Sequence, residues 1–188
     1  MVSVNDQYTH VVPQIRQAMA EHDELPNVKL SHFLDRPKEL EKMLDKSELT
    51  LVREPLSFTH YTHTLSKAEI SAIMKNGLQD FISAVLGRNV QIKSAEFVAL
   101  SHRSFSMILD HGPLETHTAE CIIDVTKKWV SGSGGDIVFI PEGGEPVRIE
   151  AEYNACVLLI RDKKTSSFYQ YVNHKAKGRR QFLRLRIA

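Results

Sequence analysis

The sequence predicts an α+β fold in which helices come first and an antiparallel β-sandwich or jelly roll follows. Up to about residue 88, apolar residues recur mainly at helical spacing. After it, eight short segments rich in β-forming residues are separated by Gly, Pro, Asn, Asp or Ser. A length of 188 residues suits one domain. We therefore expect a helical support region with an early strand over 1–88 and a jelly-roll core over 89–188.

The region before residue 88 carries helix start and stop signals. Ser66 and Glu69 form a capping-box pattern, and Gly87 is suited to end the helix that follows it. Asp35 is a candidate N-cap, with Pro37 in the first turn behind it. We predict a helix in 11–22, a strand in 27–34, a helix in 35–48, an edge strand over 58–64 and one helix over 66–88.

Eight strands are predicted for the second region, at 90–100, 103–109, 119–125, 135–140, 145–152, 155–161, 166–174 and 179–187. In the last of them, Leu183, Leu185 and Ile187 alternate with a second set of side chains. That second set is Phe182 with the arginines, and we expect a barrel strand whose arginine face is solvated.

Composition excludes several classes of function. The formal net charge is +1, so no overall field draws the protein to nucleic acid or to a membrane surface. We find no secretory signal and no apolar run long enough to span a bilayer. Cys121 and Cys156 lie in apolar runs without a zinc-binding spacing, which predicts two reduced, buried thiols in a cytoplasmic protein.

Three blocks of the chain occur in a specific order. Residues 27–44 give a strand ending in Phe-Leu that leads into a helix, and 121–140 contain Trp129 and a Gly-Gly pair between two apolar strands. Residues 149–187 give three final strands with a Gly-Arg turn. This ordered set resembles the prolyl-hydroxylase-type members of the Fe(II)/2-oxoglutarate oxygenase superfamily. The resemblance implies a double-stranded β-helix, a cupin-like jelly-roll barrel with supporting N-terminal helices.

The resemblance also implies where the cofactors would bind. Iron would be held by a His-x-Asp/Glu pair and a distal His, and an Arg would hold the far carboxylate of 2-oxoglutarate. In this sequence the first ligand position falls on His111, the carboxylate position on Pro113 and the distal position on Tyr169. The arginine position falls on Arg179 or Arg180. Two of the three metal positions therefore carry other residues, so the triad is degenerate.

Neighbouring side chains are weak substitutes for the missing ligands. Glu115 would have to fold back from a loop, and strand parity disfavours His174. The same parity turns Asp110 away if His111 points inward. A three-histidine site is the other alternative, and its candidates are His102, His111, His117 and His174.

Three functions stay open at this point. The first is a pseudoenzyme that has lost ordinary iron binding and serves as a non-catalytic or divergent protein that binds a small acid or a protein partner. The second is an active Fe(II)/2-oxoglutarate-dependent hydroxylase, a dioxygenase with non-standard ligands. The third, which the composition makes less favoured, is a nucleic-acid-associated protein using the basic C-terminal strand.

Overall fold

The computed structural model describes residues 2–21, 24–75, 77–108 and 118–188, and has an α+β architecture. Its helices are α1 Asp6–Thr9, α2 Val12–Ala20, α3 Pro37–Lys46, α4 Lys67–Met74 and α5 Leu78–Leu86. Its strands are β1 Asn27–Leu30, β2 Thr50–Glu54, β3 Phe58–Thr64, β4 Ile92–Leu100, β5 Phe105–Ser106, β6 Ala119–Asp124, β7 Ile137–Ile140, β8 Val147–Ile149, β9 Ala155–Ile160, β10 Ser166–Tyr169 and β11 Arg180–Ile187.

The strands form two antiparallel sheets. The larger has the order β1-β9-β6-β11-β4-β3-β2, with β5 paired to β3, and the smaller has the order β10-β7-β8. From β6 onwards the chain passes repeatedly between the two sheets, so that strands distant in sequence become neighbours. This is the topology of a double-stranded β-helix, and the predicted fold class is confirmed.

Strand β5 links the two sheets at one end of the barrel. It pairs with β3 in the larger sheet. Next to it, the backbone N–H of Arg103 donates to the carbonyl of Val172 at 2.8 Å, and the N–H of Val172 donates to Ser104 O, also at 2.8 Å. The N–H of Tyr169, the last residue of β10, donates to Ser106 Oγ at 2.7 Å. These bonds close the barrel beside the end of β10.

The helices cover the outer face of the larger sheet. In β11 the odd-numbered residues Leu183, Leu185 and Ile187 are fully buried beneath them, and α5 contributes Leu78, Phe81, Ile82 and Val85 to the same core. Burial of these apolar side chains is the main force that holds the helices against the sheet. No helix among the described residues is both long and apolar enough to cross a bilayer.

Three local predictions need correction. The single helix expected over 66–88 is two helices, because Gly77 adopts a left-handed conformation (φ 86°) at the start of α5. Asp35 does not cap α3, whose N-cap position is Arg36 and has no side-chain cap. Strand β3 is not at the sheet edge, since β2 pairs along its outer side. The capping box of Ser66 and Glu69 is confirmed.

The two thiols lie between neighbouring strands beneath the helices. Cys121 and Cys156 are both free and buried, with their Sγ atoms 3.5 Å apart. Burial raises the pKa of Cys156 well above its ordinary value, so this thiol keeps its proton. The prediction of reduced, buried cysteines is confirmed.

Asn154 fastens the segment after β1 to the barrel. Its Oδ1 accepts a hydrogen bond from the N–H of Leu34 and its Nδ2 donates to the carbonyl of Leu34, each at 2.9 Å. Its backbone also bonds to Phe33 and Asp124. The residue has φ 57°, a left-handed conformation that asparagine tolerates better than most side chains do.

We predict that Asn154→Ala lowers the free energy of unfolding by about 2–4 kcal/mol in urea denaturation, because it leaves both backbone groups of Leu34 unpaired and strains the left-handed backbone. Asn154→Gly is the matched control. It loses the same bonds without the strain, so its loss should be about 1 kcal/mol smaller. A loss below about 0.5 kcal/mol in the alanine variant would contradict the proposed role of this link.

Candidate functional site

The predicted metal positions fall only partly within the described residues. His111, Pro113 and Glu115 lie outside them, as do Asp110 and His117. Tyr169, at the predicted distal-ligand position, is the last residue of β10 and lies inside the barrel, 5% exposed. The candidate site is therefore built around Tyr169 and the side chains that contact it.

Tyr169 is held in place by a hydrogen bond and two aromatic contacts. Arg184 Nη1 donates to its hydroxyl oxygen at 3.0 Å. Its ring meets those of His60 and Phe182 edge-on, with centroids 5.3 and 5.9 Å apart. Burial raises the pKa of Tyr169, although Arg184 acts in the opposite direction, so the hydroxyl keeps its proton.

Arg184 is fixed by a buried carboxylate. Its Nε donates to Glu120 Oε2 at 2.6 Å and its Nη2 donates to Glu120 Oε1 at 3.0 Å, a two-pronged geometry. Arg161 Nη1 donates to the same Oε1 at 2.6 Å. Burial acts to lower the pKa of Arg184, but Glu120 and Tyr169 outweigh it, and the pKa lies well above its ordinary value.

Arg180 connects the two sheets further along the same strand. Its Nε donates to Asp124 Oδ2 at 3.0 Å, while its Nη1 donates to the carbonyls of Gly135 and Ile149 at 2.7 and 2.9 Å. The side chain is 0% exposed and lies 5.5 Å from the ring of Phe182. Its Nη2 has no hydrogen-bond partner among the described residues. The structure does not test the prediction that Arg180 holds an oxoacid, but its Nε already binds the carboxylate of Asp124.

The even-numbered residues of β11 face the barrel interior. Their alternation with the apolar residues was predicted correctly, but the solvated arginine face was not, because Arg180 and Arg184 are buried. Apolar side chains fill the space between the sheets, among them Ile122, Phe139, Leu159 and Phe182. The barrel interior combines this apolar packing with two buried guanidinium groups, each bonded to a carboxylate of β6.

Glu120 and Asp124 were not predicted as site residues, although the sequence contains a signal for them. In β6, Glu120, Ile122 and Asp124 alternate with apolar residues, which puts both carboxylates on one face of the strand. The arginines of β11 show the same alternation. When two neighbouring strands carry buried charges of opposite sign on the same face, the charges are expected to form ion pairs.

His60 lies at the end of the barrel next to Tyr169. Its Nδ1 is buried and has no hydrogen-bond partner among the described residues. Burial lowers the pKa of His60; the carboxylate of Glu96 opposes this change, and Arg184 adds to it. Glu96 Oε1 is paired with Arg186 Nη2 at 3.0 Å. The imidazole is therefore neutral at pH 7 in a surrounding that contains two arginines.

The remaining predicted residues lie away from the interior. Arg179 is exposed, and its guanidinium carbon lies 4.6 Å from the centre of the Tyr61 ring. His102 and His174 are also exposed. Of the predicted residues that the structure describes, Tyr169 and Arg180 therefore lie in the barrel, on either side of Phe182.

The described residues do not fit an ordinary iron and 2-oxoglutarate site. Among them, no three His, Cys, Asp or Glu side chains are grouped so that they could hold a metal ion. At the distal position Tyr169 carries a protonated hydroxyl beside the positive charge of Arg184, which opposes a divalent cation. Arg180 keeps an unpartnered Nη2, but two carbonyl oxygens and Asp124 surround its other nitrogens, which disfavours a further carboxylate.

Known structures share this fold. An oxidoreductase of the 2OG-Fe(II) oxygenase family from Burkholderia pseudomallei has a TM-score of 0.75 and 12% identity, over 94% of this chain and 90% of that one. A prolyl-4-hydroxylase from Pseudomonas putida has a TM-score of 0.66 and 14% identity, over 93% and 97%. A Trichoplax adhaerens prolyl hydroxylase, in complex with a hypoxia inducible factor oxygen degradation domain peptide fragment, has a TM-score of 0.66 and 10% identity, over 96% and 90%.

These comparisons define the class of fold and no more. The chain has the double-stranded β-helix of the Fe(II)/2-oxoglutarate oxygenases, as the sequence resemblance implied. Identities of 10 to 14% leave the chemistry to be argued from the residues themselves. No family model and no curated protein matches the chain.

We predict that Tyr169→Phe lowers the free energy of unfolding by about 1–3 kcal/mol, because Arg184 loses a buried acceptor. Tyr171→Phe is the matched control. Tyr171 is 51% exposed, and its hydroxyl should contribute less than about 0.5 kcal/mol. Chemical denaturation of both variants checks this prediction, and equal losses would contradict it.

The neutral state of His60 predicts a pH dependence of stability. A folded-state pKa of His60 below its ordinary value of 6.5 means that the unfolded chain binds more protons in acid. The stability contributed by neutral His60 is therefore full above about pH 6.5 and is lost below it. Between about pH 7.5 and about pH 5, His60→Gln should therefore lose less unfolding free energy than the wild type. His102→Gln, at an exposed position, is the control and should show the same change of unfolding free energy with pH as the wild type. If His60→Gln also shows that change, His60 is not the group responsible.

Proposed function

We propose that this chain is a non-catalytic protein with an oxygenase fold that binds a protein partner. The observation that carries the proposal is the hydrogen bond between Arg184 and Tyr169 at the position where the resemblance requires a metal-binding histidine. A neutral imidazole offers a lone pair to a metal, whereas this phenol keeps its proton and its oxygen accepts from a cation. A metal ion here would have to displace that bond and approach a fixed positive charge.

The oxoacid side of the site supports the same proposal. In the family that the chain resembles, an arginine at this position holds the far carboxylate of 2-oxoglutarate. Here Asp124 supplies a carboxylate to Arg180 from the protein itself. Phe182 lies between Arg180 and Tyr169 and is fully buried, so the space that a small acid would need contains an aromatic ring.

A protein partner is favoured over a small acid for the binding role. Apolar side chains of the described residues pack the interior, which argues against a small acid as the ligand. The Trichoplax structure with a peptide is an example of this fold in a complex with a protein segment. We propose that this chain likewise binds a segment of a protein partner.

An active hydroxylase with non-standard ligands is the second candidate, and one observation favours it. His60 is neutral, and its Nδ1, which has no partner in the described part of the chain, belongs to a ring beside Tyr169. Under this alternative His60 would join His111 as an iron ligand and replace the distal histidine. The third candidate, a nucleic-acid-associated protein, is less favoured, because two arginines of the C-terminal strand are buried and Arg186 pairs with Glu96. Lys175, Lys177 and Arg179 of the same basic run are exposed.

We predict that anaerobic addition of Fe(II) and 2-oxoglutarate produces no metal-to-ligand charge-transfer band and no decarboxylation. Millimolar 2-oxoglutarate should also leave the melting temperature unchanged, whereas a ligand at about 100 times its Kd would add roughly 2.7 kcal/mol. A prolyl hydroxylase serves as the positive control. A band that disappears in His60→Ala or His111→Ala would overturn the proposal in favour of the second candidate.

A further inference from the structure

We propose that the outer face of β2 and β3 binds an extended acidic segment of a partner protein, which adds as a strand to the edge of β2. This inference rests on the proposed non-catalytic function and specifies the chemistry of the partner. The surface, called the outer β2–β3 surface below, is formed by six side chains: Leu51, Arg53, Tyr61, Phe105, Tyr171 and Arg179.

Strand register puts four of these residues on one face of the larger sheet. Leu51 lies opposite Tyr61, and Arg53 lies opposite Thr59, which in turn lies opposite Phe105. Because directly opposed residues share a face, all point away from the barrel interior. The helix-covered core of the same sheet face includes Ala95 and Phe97 of β4 but none of these residues.

The two remaining residues, Arg179 and Tyr171, extend this surface through contacts with Tyr61 and Phe105. The guanidinium of Arg179 lies over the ring of Tyr61, 4.6 Å from its centre. The ring of Tyr171 lies 6.5 Å from that of Phe105. Tyr171 is 51% exposed and Leu51 is 48% exposed. The outer β2–β3 surface therefore has arginine and tyrosine side chains around apolar contacts, a composition typical of protein-binding hot spots.

Strand β2 supplies the backbone part of the site. It is the last strand of the larger sheet, and no described strand pairs with its outer side. Four of its five residues are exposed. Such an edge has free N–H and C=O groups that pair with an added strand, and alternate side chains of that strand would fall on the outer β2–β3 surface.

The charge of the outer β2–β3 surface indicates which kind of protein segment binds there. Within the described chain no carboxylate forms an ion pair with Arg53 or Arg179. Glu54 follows Arg53 but points to the other face of the strand. A second copy of the chain would bring its own arginines to this edge and be repelled, whereas acidic side chains alternating with apolar ones complement Arg53 and Leu51.

A protein segment fits better than single-stranded nucleic acid. Close to the same end of the sheet, Leu56, Met107 and Ile108 are exposed together with Leu51. The rings of Tyr61, Phe105 and Tyr171 can stack on bases, so the preference for a protein segment rests on two other features. The edge of β2 pairs with a peptide backbone, which nucleic acid lacks, and an apolar protein side chain packs against these aliphatic groups. Nucleic-acid binding is therefore an outcome that would overturn the inference.

The test uses the full chain and a short labelled peptide of alternating glutamate and valine, titrated by fluorescence anisotropy at physiological salt. We expect saturable binding that weakens at least about tenfold in Arg53→Glu/Arg179→Glu, roughly 1.4 kcal/mol. Arg148→Glu, which changes an exposed arginine of β8 in the other sheet, is the matched control and should bind like the wild type. Melting temperatures of all variants verify that they are folded, and Arg53→Glu alone provides a milder change.

Two further probes make the result decisive. The same peptide with alternate backbone amides methylated should not bind, because it cannot pair with β2; equal binding would overturn strand addition. A lysine–valine peptide or oligothymidine that binds as tightly as the acidic peptide would overturn the charge argument. Absence of acidic-peptide binding in a protein inert to iron and 2-oxoglutarate would refute this inference alone, whereas turnover of 2-oxoglutarate would refute the proposed function whatever the peptide does.

Discussion

The requirement to neutralise two arginines buried on β11 determines much of this barrel. Arg180 bonds to Asp124, which lies opposite Phe182, and Arg184 bonds to Glu120, which lies opposite Arg186. Both pairs thus use the same diagonal offset between β11 and β6, and a slip of one residue would turn every charge to the helix side. Breaking a buried pair of this kind costs about 3–5 kcal/mol, although an apolar pair of equal volume is often no less stable. The two ion pairs therefore serve mainly to fix the register between β11 and β6 and the position of the larger sheet against the smaller one.

The same interactions account for the chemistry of the interior. An oxygenase site needs an open face on a metal and a cationic side chain that is free to bind an acid. Here Arg180 spans from β6 to the backbone of the smaller sheet, and Arg184 spans from Glu120 to Tyr169 on β10. Each arginine is used to join the two sheets. With Phe182 between them, the two arginines stabilise the packing of one sheet against the other.

The sequence predicted the fold well but missed the ion pairs of the barrel interior, for physical reasons. Strand alternation and turn residues are local signals, so all eight strands after residue 88 could be located, and Tyr169 could be assigned to the barrel. The break at Gly77 was missed because a glycine within a continuous apolar period fits one helix as well as two. The partners of Arg180 and Arg184 lie 56 and 64 positions away. Only strand pairing brings them together, and without that pairing the alternating arginines were assigned to solvent.

If the interior is occupied by its own ion pairs and aromatic rings, recognition has to use the exterior, and the architecture leaves one part of the large sheet available for it. Helices pack over the central strands, where the outward residues are apolar. Toward β2 and β3 the outward residues become Arg53, Tyr61 and Leu51, and the half-exposed apolar surface of Leu51 favours association. Adding a strand there leaves the barrel undisturbed, since β3 is the one described strand with which β2 pairs. Binding at that edge is thus compatible with a barrel interior whose two buried arginines are bonded to carboxylates of β6.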